Sequence, residues 1–199
     1  LGTSKMTQLG DQIVLVFMHT ILIMPVTVAS IAGLIAMGRF KRDLENGTID
    51  LISAHAISRL RLYVGYVGSG VLFTLGAWLA AIYSMFVAQA IVMPTPITIT
   101  KFNAVAVNAF PILLFFVGLA AILLGWLPKW YRLVYLVLGL NFYMLYLGKM
   151  LKMPEWLIQV MPSSWVAQAP LSAIDWGSWV VVLTLTLALI GLGYLGYRQ

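Results

Sequence analysis

Residues 104–127 read AVAVNAFPILLFFVGLAAILLGWL, and this segment contains no charged side chain. About 20 consecutive apolar residues are needed to cross the roughly 30 Å hydrocarbon core of a bilayer. In that environment a single segment must satisfy its backbone N–H and C=O groups internally, which requires an α-helix. The segment Ala104–Leu127 therefore predicts a transmembrane helix, and it indicates the class of the whole chain.

Four other apolar runs are long enough to cross a bilayer. They are Ile13–Met37, Tyr63–Met93, Leu133–Leu151 and Trp176–Tyr197. Because 62% of the 199 residues are hydrophobic and only 9% are charged, lipid must solvate most of the surface. The sequence predicts an all-α integral membrane protein in which residues 1–199 form a single transmembrane domain of about five helices.

Charge and cysteine content exclude several classes of site and partner. The chain has no cysteine, so a disulfide framework or a cysteine-based redox site is excluded. The net charge of +6 comes from basic residues at the ends of apolar runs, which is a membrane pattern, so no nucleic-acid partner is expected. His19 and His55 are far apart in sequence and lack paired acids, so no metal site is expected. His19, within the first crossing, is interpreted as a neutral residue that bonds to a neighbouring helix, with a functional role as the alternative.

Small and amide side chains within the crossings predict contacts between helices. The glycines of the second crossing that could let helices approach closely are Gly65, Gly68, Gly70 and Gly76. The amides Asn103, Asn108 and Asn141 either hold helices together or face a polar path through the bundle. Helix association is the preferred interpretation for both sets.

Lys and Arg are unequally divided between the two sides that the five crossings define. One side collects eight of the 12, namely Arg39, Lys41, Arg42, Arg59, Arg61, Lys129, Arg132 and Arg198. The other side has Lys5, Lys101, Lys149 and Lys152. Because cytoplasmic loops carry the excess of basic residues, residues 39–61, the Pro128–Arg132 turn and the C-terminus are predicted to be cytoplasmic. An odd number of crossings that starts outside predicts a fragment of a longer chain, with at least one earlier helix.

The segment before the last crossing cannot span the bilayer. Met153–Leu171 is apolar but is interrupted by the prolines Pro154, Pro162 and Pro170. Residues 153–175 are therefore predicted to form an external interfacial or re-entrant segment of short helices. Its large apolar side chains Trp156, Met161 and Trp165 are candidates for a lid over the outer mouth of the bundle. An interfacial anchor that only fixes the last helix is the alternative.

Residues 39–61 hold eight of the 18 charged residues in the chain and read RFKRDLENGTIDLISAHAISRLR. Asn46-Gly47 is a helix stop because both residues tolerate positive φ. Thr48 can then N-cap a short helix whose first turn contains Asp50, where the helix dipole favours a carboxylate. Its apolar stripe would comprise Ile49, Leu51, Ile52 and Ile57. Such an amphipathic helix either binds a partner protein or rests on lipid headgroups.

Two parts of the sequence resemble a known family. The string DLENGTIDLIS at residues 43–53, followed by Ile57-Ser58-Arg59, resembles the loop between the second and third helices of ABC-2 type transporter permeases. Ala56 is a departure, since the family usually has proline there. Leu127-Pro128, MPEWL at residues 153–157 and GYLGYR at residues 193–198 resemble the C-terminal half of antibiotic (tetronasin/polyketide-type) exporter permeases.

This resemblance implies the second half of a permease, as part of a six-helix transmembrane domain. The loop helix would be a coupling helix that docks on an ABC ATP-binding subunit, present in two copies. A second permease half or subunit would complete the transporter. The residues that would make the coupling contact are Asp43, Glu45, Gly47, Thr48, Asp50, Leu51, Ile52, Ser58 and Arg59.

The implied function is ATP-driven export of hydrophobic or amphipathic compounds, such as antibiotics, across the bacterial plasma membrane. The chain lacks a G-x-x-x-x-G-K-[ST] motif, so it is expected to bind no cofactor, with ATP and magnesium on the partner subunit. No nucleophile–base pair is evident, so the chain is not expected to be an enzyme. The alternatives are a membrane sensor or scaffold without transport, a membrane-bound enzyme, and an ABC-2 permease for lipid or polysaccharide cargo.

Overall fold

The computed structural model describes residues 2–46, 58–92, 97–148, 151–166 and 172–198, with side chains for all of these except 2–19, 44 and 45. Within these ranges every regular element is helical. The α-helices are α1 (Gly2–Glu45), α2 (Arg59–Val92), α3 (Ile99–Trp126), α4 (Leu133–Leu147), α5 (Glu155–Val160) and α6 (Trp176–Arg198). Single 3₁₀ turns lie at Pro128–Trp130 and Pro162–Ser164. The all-α prediction is confirmed.

Four of these helices are long and apolar enough to cross a membrane. They are Thr20–Asp43 within α1, and the whole of α2, α3 and α6. They correspond to the first, second, third and fifth predicted crossings. The chain is thus a multi-pass membrane protein, as its composition predicts.

The fourth predicted crossing is shorter than expected. α4 has 15 residues and is about 22 Å long at 1.5 Å per residue, less than the roughly 30 Å hydrocarbon core. The chain turns after Leu147: the Met153 N–H donates to the Gly148 carbonyl at 2.9 Å, and Lys152 has a left-handed φ of 50°. The described residues therefore contain four crossing helices rather than five. The apolar run extends to Leu151, but Gly148 and Leu151 lie in turns rather than in the helix.

α3 is the central helix, and it is the most buried of the four that can cross a membrane. It packs along α6 on one side and also contacts α1 and α2, which pair with each other. Small residues let these backbones approach closely, as expected where lipid removes the hydrophobic force between helices. A Cβ at Gly193 of α6 would lie 2.5 Å from the Ala121 carbonyl oxygen of α3. Likewise, a Cβ at Gly70 of α2 would lie 2.5 Å from Met37 Cγ of α1.

Candidate functional site

The start of α2 is fixed where the predicted coupling loop returns to the membrane. The Ser58 hydroxyl accepts a hydrogen bond from the Arg61 N–H at 3.3 Å, which places Ser58 as the N-cap of α2. An N-cap satisfies one of the backbone donors that a helix start leaves unpaired. Ser58, predicted as a coupling residue, therefore stabilises the start of α2 at the end of the loop.

The other end of the loop is tied to α2 through Asp43. The Tyr66 hydroxyl donates to Asp43 Oδ2 at 2.5 Å, and both side chains are half-buried. The ring of Tyr66 stacks on Phe40, with centroids 4.6 Å apart. A hydrogen bond to a carboxylate is stronger than one between neutral groups. The end of α1 and the first turns of α2 are thus held together below the loop.

A third contact joins the loop to the C-terminal helix. The Arg59 guanidinium Nη1 donates to the Arg198 carbonyl at 3.3 Å. Further inside the bundle, the Tyr63 hydroxyl donates to the Ile190 carbonyl of α6 at 2.7 Å. We call Asp43, Ser58, Arg59, Tyr66 and Arg198 the loop base. These residues connect the two ends of the loop to α1, α2 and α6.

The Pro128–Arg132 turn lies at the same end of the bundle as the loop base. The Tyr131 hydroxyl donates to the Leu34 carbonyl of α1, and the Tyr131 side chain is buried. Burial, and then the neighbouring Tyr135, raise the pKa of Tyr131 above its ordinary value, so the phenol remains a donor. The basic regions predicted to share one side of the membrane are therefore at one end of the molecule.

The remaining predicted coupling residues are not described in full. Glu45 is the last residue of α1, and its side chain is outside the described set. The predicted coupling helix also lies outside the described residues, and so do its members Gly47, Thr48, Asp50, Leu51 and Ile52. Asp43, Ser58 and Arg59 are described, and they belong to the loop base. Tyr66 and Arg198 were missed because neither belongs to the loop motif.

A cleft of about 80 Å³ lies in the half of the bundle opposite the loop base. Its wall is formed by α1, α2, α3 and α4, and residues 163–166 cover it on one side. Aliphatic side chains and Trp78 provide most of the lining, and none of the described lining residues is ionisable. The polar members are Thr27, Asn108, Asn141 and Ser163.

Asn141 is the polar side chain that connects the cleft to its cover. It is 2% exposed, and its Nδ2 donates to Ser163 Oγ at 2.9 Å. In return, the Ser163 N–H donates to Asn141 Oδ1 at 3.2 Å. Buried amides require such partners, because an unpaired one is costly in an apolar interior. Asn141 was predicted to hold helices together, but here it binds α4 to Ser163 in the segment that follows α4.

We call residues 154–166 the strap, since they run from the turn after α4 back over the cleft. Two of the three predicted lid residues contact the bundle. Met161 is buried, and Trp165 packs edge-on against Phe115 of α3 with ring centroids 5.3 Å apart. The indole N–H of Trp165 also donates to the Gln159 carbonyl at 3.1 Å. Trp156 is 63% exposed and faces away, so the strap is attached through its second half.

Neither histidine side chain is among the described ones, so neither can be placed at the loop base or at the cleft. His19 lies on α1 one turn before Ile23, but its side chain is outside the described set, and His55 is outside the described residues. In the part of the chain that the structure describes, no three His, Cys, Asp or Glu side chains come together as metal ligands would. The chemistry available at the cleft is therefore hydrogen bonding and apolar contact.

Comparison with family models gives a match over almost the whole chain. Residues 3–198 match the family described as "Multidrug efflux system permease Rv1217c, C-terminal domain". The match therefore includes both the loop base and the cleft. A search of curated proteins found no match.

Proposed function

The chain belongs to the family of C-terminal domains of multidrug efflux system permeases, and we propose on this basis that it is the membrane-spanning half of an ATP-driven ABC-type exporter. Its cargo would be hydrophobic or amphipathic compounds such as antibiotics. The transporter would lie in the bacterial plasma membrane, with the C-terminus of this chain in the cytoplasm.

The observation that carries the proposal is the loop base. The 199-residue sequence has no phosphate-binding glycine-rich motif, and in this proposal the energy of ATP hydrolysis would reach the chain through a contact with a partner. The charged loop at residues 39–61 is the expected place for that contact. Two hydrogen bonds would transmit a displacement of the loop to three membrane helices. One joins Asp43 to Tyr66 at one end of the loop, and the other joins Arg59 to Arg198 at the other end.

The opposite half of the bundle would receive this displacement. α1 and α2 extend from the loop base to the cleft, where α1 contributes Thr27 and α2 contributes Trp78. A relative shift of these helices would change the shape of the cleft and the fit of the strap over it. Packed helix interfaces convert small displacements into such discrete rearrangements. The strap would then act as the outer lid.

The proposal is tested by purifying the full-length permease together with an ABC ATP-binding subunit. We expect Glu45→Lys and Asp50→Lys to abolish co-purification and transport-coupled ATP hydrolysis, because both replace an acid of the loop with a base. Membrane abundance should remain unchanged. Lys129→Glu is the matched control, since it reverses an exposed charge at the same end of the bundle but outside the loop.

Two results would contradict the proposal. Normal coupled ATP hydrolysis in both loop variants would show that the loop does not make the coupling contact. Failure of the unmodified permease to bind any ATP-binding subunit, together with a lack of ATP-dependent transport, would instead favour a sensor or scaffold.

A further inference from the structure

We propose that the cleft is a binding site for uncharged apolar compounds that carry an amide or hydroxyl group, with Asn141 recognising that group. The identification of the ligand as an exported compound rests on the proposed function. The site itself is derived from the lining, the paired amide and the size of the cleft.

The lining selects against charge. The described side chains around the cleft include several aliphatic residues and Trp78, whose indole N–H is already used by the Ala106 carbonyl at 3.1 Å. The Thr27 hydroxyl likewise donates to the Ile23 carbonyl of its own helix at 2.8 Å. A buried ion without a counter-charge is strongly disfavoured in such surroundings. A permanent cation would find no described carboxylate here, so the ligand is uncharged.

The Asn141 amide provides the specific contact. Its donor and its acceptor edges are both engaged by a single residue of the strap, through the hydroxyl and the N–H of Ser163. A ligand amide or alcohol presents the same pair of groups, an N–H or O–H donor beside an oxygen acceptor. Such a ligand can therefore take the place of Ser163 on Asn141.

The size of the cleft makes this exchange necessary. About 80 Å³ accommodates a few water molecules or a small chemical group. Pockets for drug-sized molecules are typically about 300–1,000 Å³. A larger compound can insert only its polar end while the strap is seated, and the rest requires Ser163 and Val166 to move. Ligand and strap therefore compete for Asn141, and ligand binding would displace the strap from the cleft.

Binding is measured on the full-length permease in nanodiscs at pH 8, where a histidine of ordinary pKa is neutral. The probe is radiolabelled chloramphenicol, which is uncharged and carries an amide and hydroxyl groups. Tetraphenylphosphonium, an apolar permanent cation, is the competitor. We expect saturable chloramphenicol binding that tetraphenylphosphonium does not displace.

Two substitutions should change the affinity in opposite directions. Asn141→Leu removes the recognising amide and should weaken chloramphenicol binding by roughly tenfold, the upper range for one hydrogen bond. Ser163→Ala removes a competing group and should tighten binding by roughly two- to tenfold. A purely structural role for this pair would weaken binding in both variants.

A second pair of variants distinguishes a blocked cleft from a loss of binding that is caused by misfolding. Ala109→Phe fills the α3 wall of the cleft and should abolish binding in a monodisperse protein. Ala80→Phe makes the same change at an exposed position of α2 and should leave binding unchanged. No saturable binding to the unmodified protein, displacement by tetraphenylphosphonium, or unchanged affinity in Asn141→Leu and Ala109→Phe would each overturn the site.

Transport separates this site from the proposed function. ATP-driven uptake of chloramphenicol into inverted vesicles is measured in parallel on the permease with its ATP-binding subunit. Binding that follows the expected pattern without any uptake would retain the site and overturn the exporter. Uptake that proceeds normally in Ala109→Phe would retain the exporter and overturn the site.

Discussion

At the scale of single residues, similar side chains have different tasks according to the face of the helix on which they lie. Gly70 faces Met37 of α1, whereas a Cβ at Gly65, Gly68 or Gly76 would meet no atom of the described residues within 4 Å. All four glycines were predicted to pack against other helices, and in this chain only Gly70 is in close contact. The prediction is wrong for the other three because glycine content alone does not indicate which face is covered.

The first prediction at this scale concerns close packing of α6 on α3. Gly193→Ala should destabilise the protein by about 1–3 kcal/mol, the usual cost of overpacking, because the added Cβ meets the rigid Ala121 backbone. Gly191→Ala is the control on the same helix, since a Cβ there meets nothing within 4 Å in the part of the chain that the structure describes. The stability of both variants is measured as the melting temperature in detergent. Equal melting temperatures for the two variants would disprove the close approach.

The second prediction concerns the hydrogen bond at the loop base. Tyr66→Phe should remove the bond to Asp43, cost about 1 kcal/mol, and raise the ATP hydrolysed per molecule transported. Tyr83→Phe is the control, because its hydroxyl bonds Asn103 at 3.0 Å at the opposite end of the same helix. A normal coupling ratio in Tyr66→Phe, or an equal loss in Tyr83→Phe, would show that this bond does not transmit movement.

At the scale of elements, the strap is attached at one half and exposed at the other. Ser163 and Trp165 contact α4 and α3, while Trp156 at its beginning faces outward. The prolines explain why this segment forms a six-residue helix and a single 3₁₀ turn instead of a long helix. They do not indicate which of its apolar side chains meet the bundle.

The third prediction distinguishes a lid from an anchor. Trp165→Ala should remove the edge-on contact with Phe115, and a lid would then give ATP hydrolysis without transport at normal protein levels. Trp156→Ala should have little effect, since that side chain is 63% exposed. ATPase and transport rates per molecule are compared in membrane vesicles. Lower abundance of Trp165→Ala with unchanged activity per molecule would leave only the anchor.

The fourth prediction concerns the start of α6. Asp175 accepts from the Ser178 hydroxyl at 2.5 Å and from the Gly177 N–H at 3.1 Å, and these bonds lower its pKa from the ordinary value of an aspartate. A depressed pKa in the folded state contributes stability above the unfolded value and loses it as the pH falls through the folded value. Asp175→Ala should therefore lower the melting temperature modestly at pH 7. The difference from the unmodified protein should disappear in acid below the ordinary pKa, and a difference independent of pH would contradict this account.

At the scale of the whole molecule, the two ends of the bundle differ in character. The end with the loop base collects Arg59, Lys129, Arg132 and Arg198, together with buried tyrosines that join α1, α2 and α6. The other end contains the cleft and the strap. The bundle thus separates a basic end, where we propose that a cytoplasmic partner binds, from the cleft that we propose as a site for apolar compounds.

The fifth prediction fixes the orientation of these ends. The chain has no cysteine, so a single exposed residue can be replaced at either end, as Asn46→Cys or Ala173→Cys. An impermeant thiol reagent applied to intact cells should label Ala173→Cys, and Asn46→Cys should react only after permeabilisation. The reverse labelling would place the loop base outside and remove the case for a cytoplasmic ATPase contact.

The sequence by itself determined the class, most of the crossings and the common side of the basic segments. Apolar runs of spanning length leave the backbone no alternative to helices, and local turn residues such as Pro162 break helices wherever they occur. The tertiary structure decided that α4 ends at Leu147, that Gly70 rather than Gly65 packs, and that Asn141 binds Ser163. These outcomes depend on which helix faces meet, and in a chain apolar on nearly every face the hydrophobic pattern does not distinguish protein from lipid.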